Sequence, residues 1–136
     1  MHERIKDRLE ELEKGMEELE SFLPDTVEKY LHDAKTRAAC ERAFEKVMEA
    51  VIDISLLIIK YKKFDLPSNE SGIFEVLQKN GILSGSLAKN LVEAKGMRNF
   101  IIHQYDNTDD ELVFNSLSGK IEKDINQFRK SIKKYI

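Results

Sequence analysis

The sequence predicts an all-α fold, an antiparallel bundle of about five helices, and three observations lead there. Apolar residues recur at spacings of three and four through most of the chain, the period of helices rather than of strands. Only six glycines and two prolines interrupt 136 residues. Hydrophobic residues at 41% and charged residues at 35% suit amphipathic helices with solvated outer faces. A chain of this length forms one core but not two, so residues 1–136 read as a single domain.

The first helix carries Ile5, Leu9, Leu12, Met16 and Leu19 on one stripe and ends at Pro24. Asp25, with Glu28 three residues on, marks the start of a long second helix. Its inward positions run through Val27, Leu31, Ala34, Ala38, Phe44, Val47, Val51, Ile54 and Ile58. Turn formers gather from Phe64 to Asn69, after which Ile73, Phe74 and Leu77 define a short helix stopped by Gly81. Ser84 or Ser86 caps a fourth helix with Leu87, Leu91, Ala94 and Ile101 inward, and Asp106-Asn107-Thr108 breaks it. Thr108 and Glu111 form a second capping pair for a last helix with Leu112, Leu117, Ile121, Ile125, Phe128, Ile132 and Tyr135 inward; Gly119 is placed to bend it.

Composition narrows function. The lone Cys40 excludes an intramolecular disulfide, and without a charged-then-apolar leader the expected compartment is the cytoplasm. The most apolar stretch, Val51 to Ile59, is interrupted by Asp53 and falls short of the roughly 20 residues that cross a bilayer, so no membrane role is expected. A net charge of −3 argues against a broad positive field over nucleic acid, so any RNA contact is local. Lys60-Tyr61-Lys62-Lys63 and Arg129-Lys130 with Lys133-Lys134 are the two basic clusters available, unless they are simply solvated helix ends.

The chemistry concentrates in Arg98-Asn99-Phe100-Ile101-Ile102-His103-Gln104-Tyr105, at the end of the fourth helix. At about 100° per residue, Tyr105 lies only about 20° from Arg98, and His103 follows Asn99 by one turn. Arg98 and His103 diverge by about 140° on a straight helix, so a shared site needs either a kink near Ile102 or a second copy of the chain. A two-fold interface, in which one patch meets itself, joins the two strips into a composite polar groove. Such a groove suits phosphodiester cleavage without a metal. An imidazole with an ordinary pKa of about 6.5 accepts a proton from a ribose 2′-hydroxyl or delivers one to the leaving oxygen. A guanidinium fork binds the phosphate and stabilises its growing charge. The bland alternative is a helix-capping arginine, a packed neutral histidine and a half-buried tyrosine. His2 and His32 have no partner at ligand spacing. Asp109-Asp110-Glu111 reads as first-turn acid favoured by the helix dipole, with a metal or partner contact as the other reading.

R-N-x-x-x-H-x-Y at the end of a fourth helix resembles the signature of HEPN domains of the HepT branch, also known as DUF86. Arg37-Ala38-Ala39-Cys40-Glu41-Arg42 with Glu49-Ala50 and Asp53 is similar to the long second helix of that family. The passage from Tyr105-Asp106 into Asp110-Glu111-Leu112-Val113 is similar to its entry into the last helix, so the resemblance spans roughly residues 30 to 136. It implies a homodimeric HEPN fold and a ribonuclease toxin that needs no cofactor for cleavage of tRNA, mRNA or another RNA. Arg98 and His103 are then the catalytic pair, with Asn99 as polar support. It also implies an MntA-like nucleotidyltransferase antitoxin that uses ATP to place AMP on Tyr105, where bulk and negative charge repel an RNA phosphate.

Two rival functions remain at this level. One is a non-catalytic nucleotide-binding module of a minimal nucleotidyltransferase, stabilised by nucleotide while RNA stays intact. The other is a scaffold dimer.

Overall fold

The protein is described by a computed structural model that covers residues 2–103 and 109–136. Its described elements are all helical, in the order α1 (His2–Phe22), α2 (Val27–His32), α3 (Ala34–Lys62), a 3-10 turn (Glu70–Gly72), α4 (Ile73–Lys79), α5 (Gly85–His103), α6 (Asp110–Asn115), a π-helical turn (Ser116–Lys120) and α7 (Ile121–Lys133). The predicted five-helix plan holds once α2 with α3, and α6 with α7, are each read as one interrupted helix.

The first interruption corrects the single long helix expected from Asp25. Asp33 is extended at φ −127°, ψ 100°, and its carboxylate accepts from the amides of Lys35 and Thr36 at 3.1 and 3.2 Å, so it starts α3 afresh. An aspartate that competes for backbone amides breaks a helix without disturbing the apolar period, which is why the pattern ran through it. Arg37 bridges the break by donating to the carbonyls of Tyr30, at 3.2 Å, and Leu31. The cap of α2 is Thr26 rather than Asp25; Asp25 instead pairs with Lys29 at 2.9 Å.

The second interruption falls where a bend was expected, with Ser118 and Gly119 non-helical. Gly81 stops α4 in the left-handed region at φ 77°, where a side chain is disfavoured, and its carbonyl accepts from the Tyr135 hydroxyl at 3.1 Å. Ser84, not Ser86, caps α5 by accepting from the Leu87 amide at 3.1 Å. Asp109 caps α6 through the Leu112 amide at 3.1 Å; the expected cap Thr108 and the expected break at Asp106-Asn107-Thr108 lie outside the described residues.

Cross-helix contacts give the directions. Arg8 approaches Asp53 and Glu18 approaches Lys46, both at 3.9 Å, so α1 runs antiparallel to α3. A Cβ on Gly15 would sit 3.0 Å from Val47 Cγ2, which shows how closely these two helices pack. Asn90 donates to Asp124 at 3.1 Å and Lys120 to Glu93 at 2.9 Å, so α5 and α7 are antiparallel as well. One cluster of buried side chains links α1 to α7, with Phe44, Phe74 and Phe128 wholly buried in it.

Tyr30 lies in the same cluster, its ring 5.3 Å from that of Phe114, and its hydroxyl has no hydrogen-bond partner among the described residues. A buried hydroxyl without a partner costs more than it contributes. Tyr30→Phe is therefore expected to leave stability unchanged or raise it by up to about 1 kcal/mol in urea denaturation. A loss of that size would show that the hydroxyl is bonded after all.

Candidate active site

The last two turns of α5 hold the motif. Arg98 donates through Nε and Nη2 to Asn99 Oδ1 at 3.2 and 2.8 Å, so the amide fixes one edge of the guanidinium. Arg98 Nη2 also lies 3.5 Å from Glu70 Oε1, on the 3-10 turn before α4. The arginine side chain is only 12% exposed, lodged between α5 and this turn. His103 is exposed in the final turn of α5, where the helix dipole favours a cation. The helix remains continuous through His103, so within one chain it directs Arg98 and His103 apart by about 140°. The structure thus brings Arg98 and Asn99 together and leaves His103 on another face. Tyr105 lies outside the described residues.

Two neighbours escaped the sequence reading. Lys95, one turn before Arg98, is 7% exposed, and its ammonium lies 4.0 Å from Glu70 Oε2. Its signal was available, since Lys95 stands among Leu91, Ala94 and Arg98 on the inward part of the helix. Glu70 had none, because it comes from a turn whose position depends on the tertiary fold.

Other candidates have structural work. Asp109 caps α6 and Asp110 lies 3.6 Å from Arg37 Nε, so both acids have roles within the fold. Among the described residues no three His, Cys, Asp or Glu side chains come together as metal ligands. Burial pushes the Cys40 thiol up to about 11, which leaves it a packing residue rather than a nucleophile at neutral pH. The C-terminal basic cluster is partly neutralised by Glu13, which pairs with Arg129 and lies 3.9 Å from Lys133. Lys62 stands over the rings of Tyr61 and Tyr135 at 5.8 and 5.6 Å. His2 packs edge-on against Tyr61, and His32 closes α2. No described helix is long and apolar enough to cross a membrane.

Beside the motif, α5 has an apolar outer surface. Val92 and Phe100 are exposed on one side of it and Ile102 nearly opposite Phe100, and Leu112 on α6 is 61% exposed. Gly96 lies between Val92 and Phe100, and a Cβ added to it would meet nothing within 4 Å. An open groove of about 560 Å³ runs between α5 and the α6–α7 segment, floored by Ala94, Met97, Ile101, Val113 and Ile121.

Comparison with known proteins yields consistent matches. The family model described as "Ribonuclease HepT-like" matches residues 12–133. A "tRNA nuclease HepT" from Aphanizomenon flos-aquae is 29% identical over 119 residues, covering 88% of this chain and 81% of that protein. An "mRNA nuclease HepT" from Shewanella oneidensis is 28% identical over 89 residues, covering 65% of this chain and 66% of that protein. Among solved structures, the tri-AMPylated Shewanella oneidensis HEPN toxin in complex with MNT antitoxin superposes with a TM-score of 0.91 at 22% identity, covering 98% of each chain.

Proposed function

The chain belongs to the HepT-like ribonuclease family, and from that membership we propose that it is an RNA endonuclease and the toxin half of a toxin–antitoxin pair. The observation that carries the proposal is the Arg98–Asn99 pair, held ahead of His103 on α5 of a chain with this family's fold. The whole chain, 1–136, acts as one domain, in the cytoplasm, where its proposed substrates tRNA and mRNA are found.

The proposed reaction uses no metal. Arg98 binds a backbone phosphate by its fork, with Asn99 holding the orientation of the plane. The ribose 2′-oxygen attacks phosphorus as an imidazole takes its proton, and the bond to the 5′-oxygen breaks as an imidazole returns a proton to that oxygen. Arg98 stabilises the negative charge that accumulates on the non-bridging oxygens.

The site is completed by a second copy. A continuous α5 favours this over a kink as the means of joining Arg98 to His103, and the exposed Val92, Gly96, Phe100 face allows another helix to approach closely. The partner is an MntA-like nucleotidyltransferase that consumes ATP and places AMP on Tyr105, a reading supported by the tri-AMPylated state of the Shewanella toxin. AMP two residues from His103 introduces a phosphate where the RNA phosphate must lie, and like charges exclude each other.

Two results are expected. Purified, unmodified protein cuts total tRNA or a model mRNA equally well with and without chelator; intact RNA in every lane with dimeric protein would overturn the nuclease reading in favour of a nucleotide-binding partner module. Co-expression with the partner transferase adds AMP-sized mass increments that Tyr105→Phe abolishes. Increments that survive the substitution would place the acceptor elsewhere.

A further inference from the structure

We infer that Lys95 is a second phosphate-binding cation beside Arg98, and that the Glu70 carboxylate occupies the phosphate's place until RNA displaces it. The inference rests on the ribonuclease reading for the identity of the phosphate, an RNA backbone diester, but its geometry stands apart from that reading.

Lysine is rarely buried without a close partner, because removing an ammonium from water is costly. Lys95 is buried to 93% at the side chain, yet its ion pair with Glu70 is stretched to 4.0 Å, beyond hydrogen-bond range. No hydrogen bond satisfies its ammonium among the described residues. Arg98 is equally withdrawn, and its own contact with Glu70 is a marginal 3.5 Å. One carboxylate thus faces two cations on largely buried side chains without closing well on either. The three groups sum to one positive charge, so the two cations can accept an anion in place of the carboxylate. A phosphodiester spreads its single charge over two non-bridging oxygens set wider apart on a tetrahedral phosphorus than a carboxylate's pair, so one oxygen can close on each cation.

Glu70 is positioned to yield. It is 46% exposed, and it belongs to a three-residue 3-10 turn outside the main helices. Lys95 and Arg98 are fixed on the inward part of a 19-residue helix. When phosphate arrives, the carboxylate swings into water and the cations stay. Each RNA molecule therefore has to compete with an internal anion, which weakens binding and selects for substrates that make further contacts.

The test uses full-length His103→Ala protein, which is expected to hold RNA without cutting it, and a single-stranded RNA oligonucleotide titrated across a range of salt. Lys95→Met keeps the side-chain volume and removes the charge. It is expected to weaken binding about tenfold and to reduce the slope of log affinity against log salt by about 0.7, the contribution of one phosphate contact. Lys95→Arg should restore most of both. Glu70→Gln should tighten binding about tenfold. A merely structural lysine would move the melting temperature but not the salt slope.

An unchanged slope in a folded Lys95→Met protein, or unchanged affinity in Glu70→Gln, would overturn the inference. Stabilisation of the same proteins by inorganic phosphate separates it from the nuclease reading. A phosphate-dependent rise in melting temperature that Lys95→Met loses and Glu70→Gln enlarges supports the site even if the wild type cuts no RNA. Cleavage of RNA with both substitutions silent leaves the nuclease and removes the site. The absence of phosphate and RNA binding alike removes both.

Discussion

Arg98→Ala and His103→Ala are each expected to lower the single-turnover rate of RNA cleavage by about 10²–10⁴-fold, with little change in melting temperature. The two losses should differ in kind. In the proposed mechanism the imidazole acts on protons that move only as bonds change, so His103→Ala should depress kcat and leave KM nearly untouched. In the same proposed mechanism the guanidinium holds the phosphate before and during reaction, so Arg98→Ala should raise KM as well. Neither side chain lies in the apolar core: His103 is exposed, and the Arg98 contacts that the structure shows are polar ones to Asn99 and Glu70. Folding should survive both changes. Asn99 acts through Arg98 by bonding two of its donors, so Asn99→Ala should cost about tenfold and should appear mainly in KM. A His103→Ala enzyme that cuts at wild-type rate would remove the imidazole from the mechanism.

Much of the fold is legible in the sequence, because a helical bundle writes its core into a periodic stripe. The positions Ile5, Leu9, Leu12, Met16 and Leu19 are all buried, as are Phe128 and Ile132 more than a hundred residues away. Bends and stops that depend on a residue's own backbone chemistry were also legible, as at Gly81 and near Gly119. The break at Asp33 was not. It needs only one residue to leave the helix, and both flanking segments keep their apolar period across it. Choosing among adjacent caps was equally local and equally hard: Thr26 displaced Asp25, and Ser84 prevailed over Ser86, on hydrogen-bond geometry that spacing alone does not give.

The site was legible only in part, for a related reason. Arg98 and Asn99 are adjacent in sequence, so their contact needs no tertiary fold, whereas Glu70 reaches Arg98 across 28 residues and enters only through tertiary packing. Lys95 shares the inward stripe of Leu91 and Ala94, but a lysine on an amphipathic helix is ordinarily solvated, so its burial is what confirms that weak signal.

Mixing the two inactive variants is expected to return activity. A straight α5 directs Arg98 and His103 of one chain about 140° apart, so in the proposed two-fold dimer a site that uses both draws them from opposite subunits. In a dimer of one Arg98→Ala chain with one His103→Ala chain, one site loses both groups and the other keeps both, since each chain supplies what its partner lacks. Free exchange makes half of all dimers mixed, each with one of its two sites intact, so the mixture should reach about a quarter of wild-type activity. Against a background about 10²–10⁴-fold below wild type, that recovery is large enough to read on a gel. A single chain carrying both substitutions, mixed with wild type, provides the control: its mixed dimers have an arginine without histidine in one site and the reverse in the other, so they contribute nothing. Failure of the two inactive variants to complement, with exchange verified by mass, would mean that Arg98 and His103 act within one chain, and that α5 must bend before the enzyme cuts.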